Sequence, residues 1–71
     1  MGSFSNNIRT RREMLGMSQE ELAKKVGVTQ AAIWLYENGE STPKLAIAIA
    51  LARALGITVE QLACGSEPNQ S

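Results

Sequence analysis

Glycine divides this chain into short pieces, and only a few helical turns fit between its stops. Gly16, Gly27, Gly39, Gly56 and Gly65 each follow a stretch of apolar residues at helical spacing. That is where a helix end calls for a left-handed residue. Start signals answer the stops. Ser18 with Glu21, and Thr58 with Gln61, form capping boxes, in which a hydroxyl and a side chain three residues on satisfy each other's backbone N–H groups. Thr29 precedes Gln30-Ala31-Ala32-Ile33 as an N-cap. Thr42 precedes Pro43, a residue suited to the first helical position, and Asn6 or Asn7 can open the first segment. These marks predict helices over 7–15, 19–26, 30–38, 43–55 and 59–63. No stretch alternates apolar and polar residues over strand length. An all-α domain is therefore expected over 6–64, with a loose N-terminus over 1–5 and a disordered tail over 65–71.

Each predicted helix carries an apolar stripe, and the stripes can share one core. The first offers Ile8 and Leu15, the second Leu22, Ala23 and Val26, and the third Ile33 and Tyr36, with Val28 filling the turn before it. The fourth offers Leu45, Ala48, Ile49, Ala52 and Leu55; Ile57 and Leu62 follow, and Met14 and Met17 read as core filler. The expected architecture is a compact five-helix bundle.

Composition removes several function classes. There is no His and one Cys among 71 residues. Histidine-dependent nucleophilic catalysis, His/Cys zinc sites and disulfide scaffolds are excluded together. No carboxylate pair, nucleophile-base pair or phosphate loop is present, so the chain is not expected to be an enzyme, and no metal or cofactor is expected. Seven basic residues balance seven acidic ones, so no strong overall field steers a charged partner. The longest apolar run, Leu45 to Ala52, is far below the ~20 residues that span a bilayer. No secretory signal opens the sequence, so a reduced, cytoplasmic setting without a membrane is expected.

Residues 19–38 carry the informative pattern. One short helix, Gln19 to Val26, meets a second through the tight connection Gly27-Val28-Thr29. Ala23 is small where the next helix must cross closely, and Gly27 takes a left-handed backbone without Cβ strain. Leu22, Val26, Ile33 and Tyr36 can pack the two helices at the ~90–120° crossing of a helix-turn-helix. A plain αα-corner without a DNA role is the alternative.

On these residues the chain resembles the lambda-repressor-like helix-turn-helix domains. The resemblance rests on Ser18-Gln19-x-x-Leu22-Ala23-x-x-x-Gly27-Val28-Thr29, on Ile33-x-x-Tyr36-Glu37-x-Gly39, on Pro43, and on Leu51-Ala52-x-Ala54-Leu55-Gly56-Ile57. It spans about 7–63 and implies a five-helix DNA-binding module, usually dimeric, with the third helix in the major groove of double-stranded DNA. It implies that Gln19 and its helix N-terminus meet a phosphate, that Thr29 and Gln30 touch backbone and a base edge, and that Asn38, Gly39 and Lys44 form a second phosphate clamp. Glutamine can pair bidentately with adenine. The resemblance also implies that Arg12 and Glu37 tie the first helix to the end of the third as a structural pair. Arg9 and Arg11 are either backbone contacts or solvated charges.

Two faces depart from the family pattern. Gln30, Ala31, Trp34 and Leu35 share the side of the third helix turned from the core, where the family usually puts polar or basic groups. Ala31 and Leu35 can touch thymine methyls, with Trp34 against sugar or phosphate; alternatively, Trp34 and Leu35 anchor a protein partner. Glu40 would repel phosphate. In the fourth helix Ala46, Ile47, Ala50 and Ala54 make a second apolar stripe, which a homodimer would bury with Val59 adding to the seam. Cys64 reads as structurally indifferent. The expected function is a small sequence-specific transcriptional regulator of prokaryotic or phage type, acting as a dimer on DNA without a small-molecule ligand. A protein-interaction module on the same scaffold is the alternative.

Overall fold

Capping chemistry sets most of the helix boundaries. The computed structural model describes residues 4–64, apart from the side chain of Cys64. Five helices are found there: α1 (Phe4–Met14), α2 (Gln19–Val26), α3 (Gln30–Glu37), α4 (Leu45–Leu55) and α5 (Val59–Cys64). No strand occurs among the described residues. The expected tail over 65–71, residues 1–3 of the expected loose N-terminus and the Cys64 thiol lie outside the described residues.

Both capping boxes close. Ser18 Oγ accepts from Glu21 N at 3.0 Å while Glu21 Oε1 accepts from Ser18 N at 2.8 Å. Thr58 and Gln61 repeat the exchange at 3.0 Å in each direction. Thr29 Oγ1 accepts from Ala32 N at 3.1 Å and starts α3. Gly27 ends α2 at φ 89°, donating its N–H to Ala23 O. A side chain there would be strained whatever space surrounds it. The α2–Gly27–α3 unit thus has a donor or acceptor answer at each end, as expected of a helix-turn-helix.

The core draws on every helix. Ile8, Leu22, Ala23, Ile33, Leu51, Ala52, Leu55 and Leu62 are buried in one cluster. α1 is the strut against which α3, α4 and α5 pack, and α2 packs on α3 and α4. Two polar staples fix α1 against the ends of its neighbours. Asn7 Nδ2 donates to Leu62 O at 2.7 Å, and Arg11 Nε donates to Leu55 O at 3.1 Å. Both acceptors lie in the last turn of a helix, where carbonyls lack intrahelical partners.

Four boundaries or faces differ from expectation. α1 starts at Phe4, so Phe4 and Ser5 are helical; Phe4 packs against the core cluster, and the expected cap Asn7 holds α5 instead. α4 starts at Leu45 with Lys44 as its cap, not at Thr42-Pro43. Pro43 is buried ahead of the cap, as is Ala48 in the first turn and a half, the placement of a hydrophobic staple. Leu15, expected in the core, is 48% exposed, because α1 ends at Met14 and Met17 turns inward in its place. Met14, read as filler, is exposed as well.

The fourth difference is the orientation of α4. Its buried line is Ala48, Leu51, Ala52 and Leu55, with Ile47 and Ala54 packed alongside. Leu45 and Ile49, expected inside, are 71% and 40% exposed. Ile47, Ala54 and Val59, expected at a dimer seam, are partly buried and pack against the core. The helix is apolar on both flanks of the line Ala48–Leu55, so spacing alone could not choose the flank; packing against α1, α2 and α5 did.

This orientation has a measurable consequence. Leu51→Ala should cost about 2–5 kcal/mol in urea unfolding, the range for emptying a buried leucine site. Leu45→Ala should cost less than ~1 kcal/mol, as exposed substitutions do. The reverse ranking would contradict the face assigned to α4.

Candidate nucleic-acid interface

The outer face of α3 rests on a buried charge. Glu37 ends the helix with none of its side chain exposed. An unpaired carboxylate there would be very costly, so the sequence must supply a cation. It supplies Arg12 from α1. Arg12 Nε donates to Glu37 Oε2 at 2.6 Å and Nη2 to Oε1 at 3.1 Å, a two-pronged fork. Nη1 donates to Met17 O at 2.7 Å, which also holds the turn before α2. The Glu37 bond pushes the Arg12 pKa further up, against the opposing effect of burial. The expected Arg12–Glu37 pair is present, and it ties α1 to α3.

The network continues to the surface. Gln19 Nε2 donates to Glu37 Oε1 at 3.1 Å, and Gln30 Nε2 donates to Gln19 Oε1 at 3.3 Å. Arg9 Nε stands 3.8 Å from Glu37 Oε1 with its side chain 46% exposed. The first residue of α2 and the first residue of α3 are thereby joined over the end of α3. Sequence reasoning named Gln19 and Gln30 separately and did not see them as partners. Arg11 is withdrawn from this face, since its guanidinium serves the α4 carbonyl.

Along α3 the wheel reading holds. Gln30, Ala31, Trp34 and Leu35 are all exposed, with Trp34 at 48% and Leu35 at 38%, while Ile33 and Glu37 are buried on the opposite side. Thr29 is exposed but spends its hydroxyl on the cap. Asn38 is exposed, and its Nδ2 donates to Trp34 O at 2.8 Å. That bond closes the end of α3 and presents the outer part of the amide beyond it. Lys44 is exposed at the start of α4, and Glu40 is exposed in the loop between them. The surface from Thr29 to Asn38 therefore carries no formal charge. It is an amide and hydroxyl edge beside an indole and two aliphatic groups. Such a surface offers the donors, acceptors and apolar groups that match base edges and methyl groups, and the exposed cations Arg9 and Lys44 lie outside it.

Of the residues proposed for a dimer seam, Ala46 is exposed and Ala50 half-buried. With Ile49 and Ala54 they floor a groove of about 510 Å³ bordered by Lys25 and Arg53. No helix among the described residues is long and apolar enough to cross a membrane.

Comparison with known proteins agrees with this geometry. The helix-turn-helix family matches residues 8–62. An HTH-type transcriptional regulator of Methanothermobacter thermautotrophicus is 51% identical over 49 residues, which cover 69% of this chain and 71% of the relative. The cryptic phage CTXphi transcriptional repressor RstR of Vibrio cholerae is 36% identical over 66 residues, covering 93% of this chain and 60% of RstR. Among solved structures, the P22 c2 repressor in complex with a synthetic operator superposes with a TM-score of 0.88 at 34% identity, over 92% of this chain and 98% of the repressor chain. The lambda-repressor-like fold expected from the motifs is the fold observed.

Arg12→Ala should test the charge beneath the face. Removing the cation leaves Glu37 buried and uncompensated, at a cost of about 3–5 kcal/mol. The melting temperature should fall by many degrees, and an unchanged melting curve would contradict the role assigned to the pair.

Proposed function

This chain belongs to the helix-turn-helix family, and from that premise we propose that it is a sequence-specific DNA-binding transcriptional regulator that reads the major groove through α3. The observation that carries the reading is the uncharged outer face of α3, with Gln30 joined to Gln19 at its leading edge. The P22 c2 repressor, so similar in fold, is a protein solved in complex with a synthetic operator. In this reading Gln30 contacts a base edge, Ala31 and Leu35 meet thymine methyls, and Trp34 lies against sugar or phosphate. Thr29, Asn38 and Lys44 approach the backbone, and the N–H groups opening α2 beside Gln19 face a phosphate. The reading is cytoplasmic and non-enzymatic.

Dimerisation belongs to the same proposal. Ala46, Ile49 and Ala50, with Leu45 beside them, form the apolar surface of α4 that a second copy would cover. Ala54 borders the same groove, and Ile47 and Val59 are partly buried against the core behind it. A two-fold pair would set two α3 helices ~34 Å apart, one turn of DNA. Ile49→Glu should then sediment as a monomer where the unmodified chain, at micromolar concentration with DNA, sediments as a pair. A monomeric unmodified chain under those conditions would remove the dimer.

The exposure of Trp34 and Leu35 favours a second reading, a protein-interaction surface on the same scaffold. Titration of a selected and a scrambled duplex at two salt concentrations separates the two. Lys44→Ala should weaken binding to both duplexes alike and reduce the salt slope by about one unit. Trp34→Ala should lower affinity for the selected duplex while keeping the fold. Equal affinity of the unmodified chain for both duplexes would reject DNA reading and favour the protein surface.

A further inference from the structure

The step Asn38–Gly39 closes α3, and Asn38 is the only asparagine in the sequence that a glycine follows. Asparagine is a thermolabile residue, and this neighbour makes it more so. Glycine has no Cβ to shield its nitrogen, which can attack the asparagine carbon Cγ and close a five-membered imide. Asn7, by contrast, precedes the branched and fully buried Ile8 inside α1. Asn38 and Gly39 are both exposed.

The folded geometry holds this reaction off. Asn38 Nδ2 donates to Trp34 O at 2.8 Å, the Asn38 backbone lies at ψ 6°, and Gly39 N donates to Tyr36 O at 3.3 Å. At that ψ the Gly39 nitrogen is turned away from Cγ. Attack requires rotation about the Asn38 Cα–C bond, which gives up both hydrogen bonds and the next one, Glu40 N to Leu35 O at 2.9 Å. These are the last bonds of an exposed helix end, the kind that open at little cost. A duplex lying along α3 would keep them closed.

We propose that Asn38–Gly39 is a self-modification site through which the protein, when free of DNA, loses its hold on DNA. The proposal rests on α3 being the DNA-reading helix. When the last turn of α3 opens, Gly39 N bonds to Asn38 Cγ and its proton passes through water to Nδ2. The Cγ–Nδ2 bond breaks and ammonia leaves. Water then opens the imide. Addition at Cγ leaves aspartate, and addition at the Asn38 main-chain carbonyl leaves isoaspartate, with the chain rerouted through Cγ. The sum is one water consumed and one ammonia released, with no oxidant or reductant. Either product puts a carboxylate on a face that carried no formal charge. A carboxylate has no N–H for Trp34 O, stands at the carbonyl end of the helix dipole, and repels DNA phosphates.

The test follows the intact chain through incubation at mildly alkaline pH, alone, with a duplex selected from a random pool, and with a scrambled duplex. Peptide mapping by mass spectrometry, with isoaspartyl methyltransferase labelling, reads conversion at each asparagine. Conversion is expected at Asn38 ahead of Asn7, and the selected duplex should slow it severalfold where the scrambled one does not. The aged chain should separate into a fraction that binds and retains Asn38 and a fraction that carries the acid and does not bind. Asn38→Asp should melt within a few degrees of the unmodified chain and bind the selected duplex roughly tenfold more weakly. The aged chain carries that comparison by itself if the variant fails to fold. Asn38→Gln, whose side chain would need a larger ring, should end the incubation with the affinity it began with. No conversion at Asn38 in the free chain, equal rates with and without the bound duplex, or undiminished affinity of the converted fraction would each overturn the proposal while leaving DNA reading intact. A fresh chain that selects no sequence overturns the functional reading, and the switch falls with it.

Discussion

The contact between Arg12 and the enclosed carboxylate of Glu37 is the constraint on which the rest of this structure depends. A charge with no solvent exposure is tolerated only where its partner is fixed. Fixing Arg12 fixes α1, because the same guanidinium also holds the Met17 carbonyl at the entrance to α2. α1 in turn pins the ends of α4 and α5 through Arg11 and Asn7. The polar bonds therefore run outward from one strut, while the apolar cluster from Ile8 to Leu62 supplies the burial that holds the helices together. This division suits a small domain whose working surface must be rigid. The end of α3 is held by a charge pair, a cap at Asn38 and the buried Ile33, leaving the opposite side of the helix unencumbered.

Features settled by local chemistry were legible in the sequence. The two capping boxes, the Thr29 cap and the left-handed Gly27 each involve residues within a few positions of one another, so spacing is enough to read them. The exposed side of α3 was legible for a similar reason. Ile33 and Glu37 face inward, and helical geometry then places Gln30, Ala31, Trp34 and Leu35 outward. The Arg12–Glu37 pair was legible only through the family resemblance, since nothing local predicts a contact across 25 positions.

What was not legible depended on tertiary choices with no local marker. α4 is apolar nearly all round, and periodicity fits a core line flanked by Leu45 and Ile49 as well as one flanked by Ile47 and Ala54. Leu51, fully buried, fell outside the stripe assigned from sequence. Its signal was present in the spacing from Ala48 through Leu51 to Leu55, but the competing flank was equally apolar. Gln19 shows the same limit for a polar group. As the first residue of a helix it read as a phosphate contact, and nothing in the sequence marked the bonds its amide makes to Glu37 and Gln30. Long side chains have several destinations, and only the packed arrangement of α1, α2 and α3 selects among them.

Trp34 is the single tryptophan of the chain and stands half exposed at the middle of the proposed reading face. Its fluorescence therefore reports on that face without any added label. The most direct measurement is tryptophan emission followed in parallel with the anisotropy of a labelled duplex carrying the selected sequence. The account predicts that emission changes in step with anisotropy and saturates at the same protein-to-site ratio, because the groove covers the indole as the duplex binds. A duplex that binds tightly and with sequence preference while the Trp34 emission stays unaltered would contradict recognition through α3.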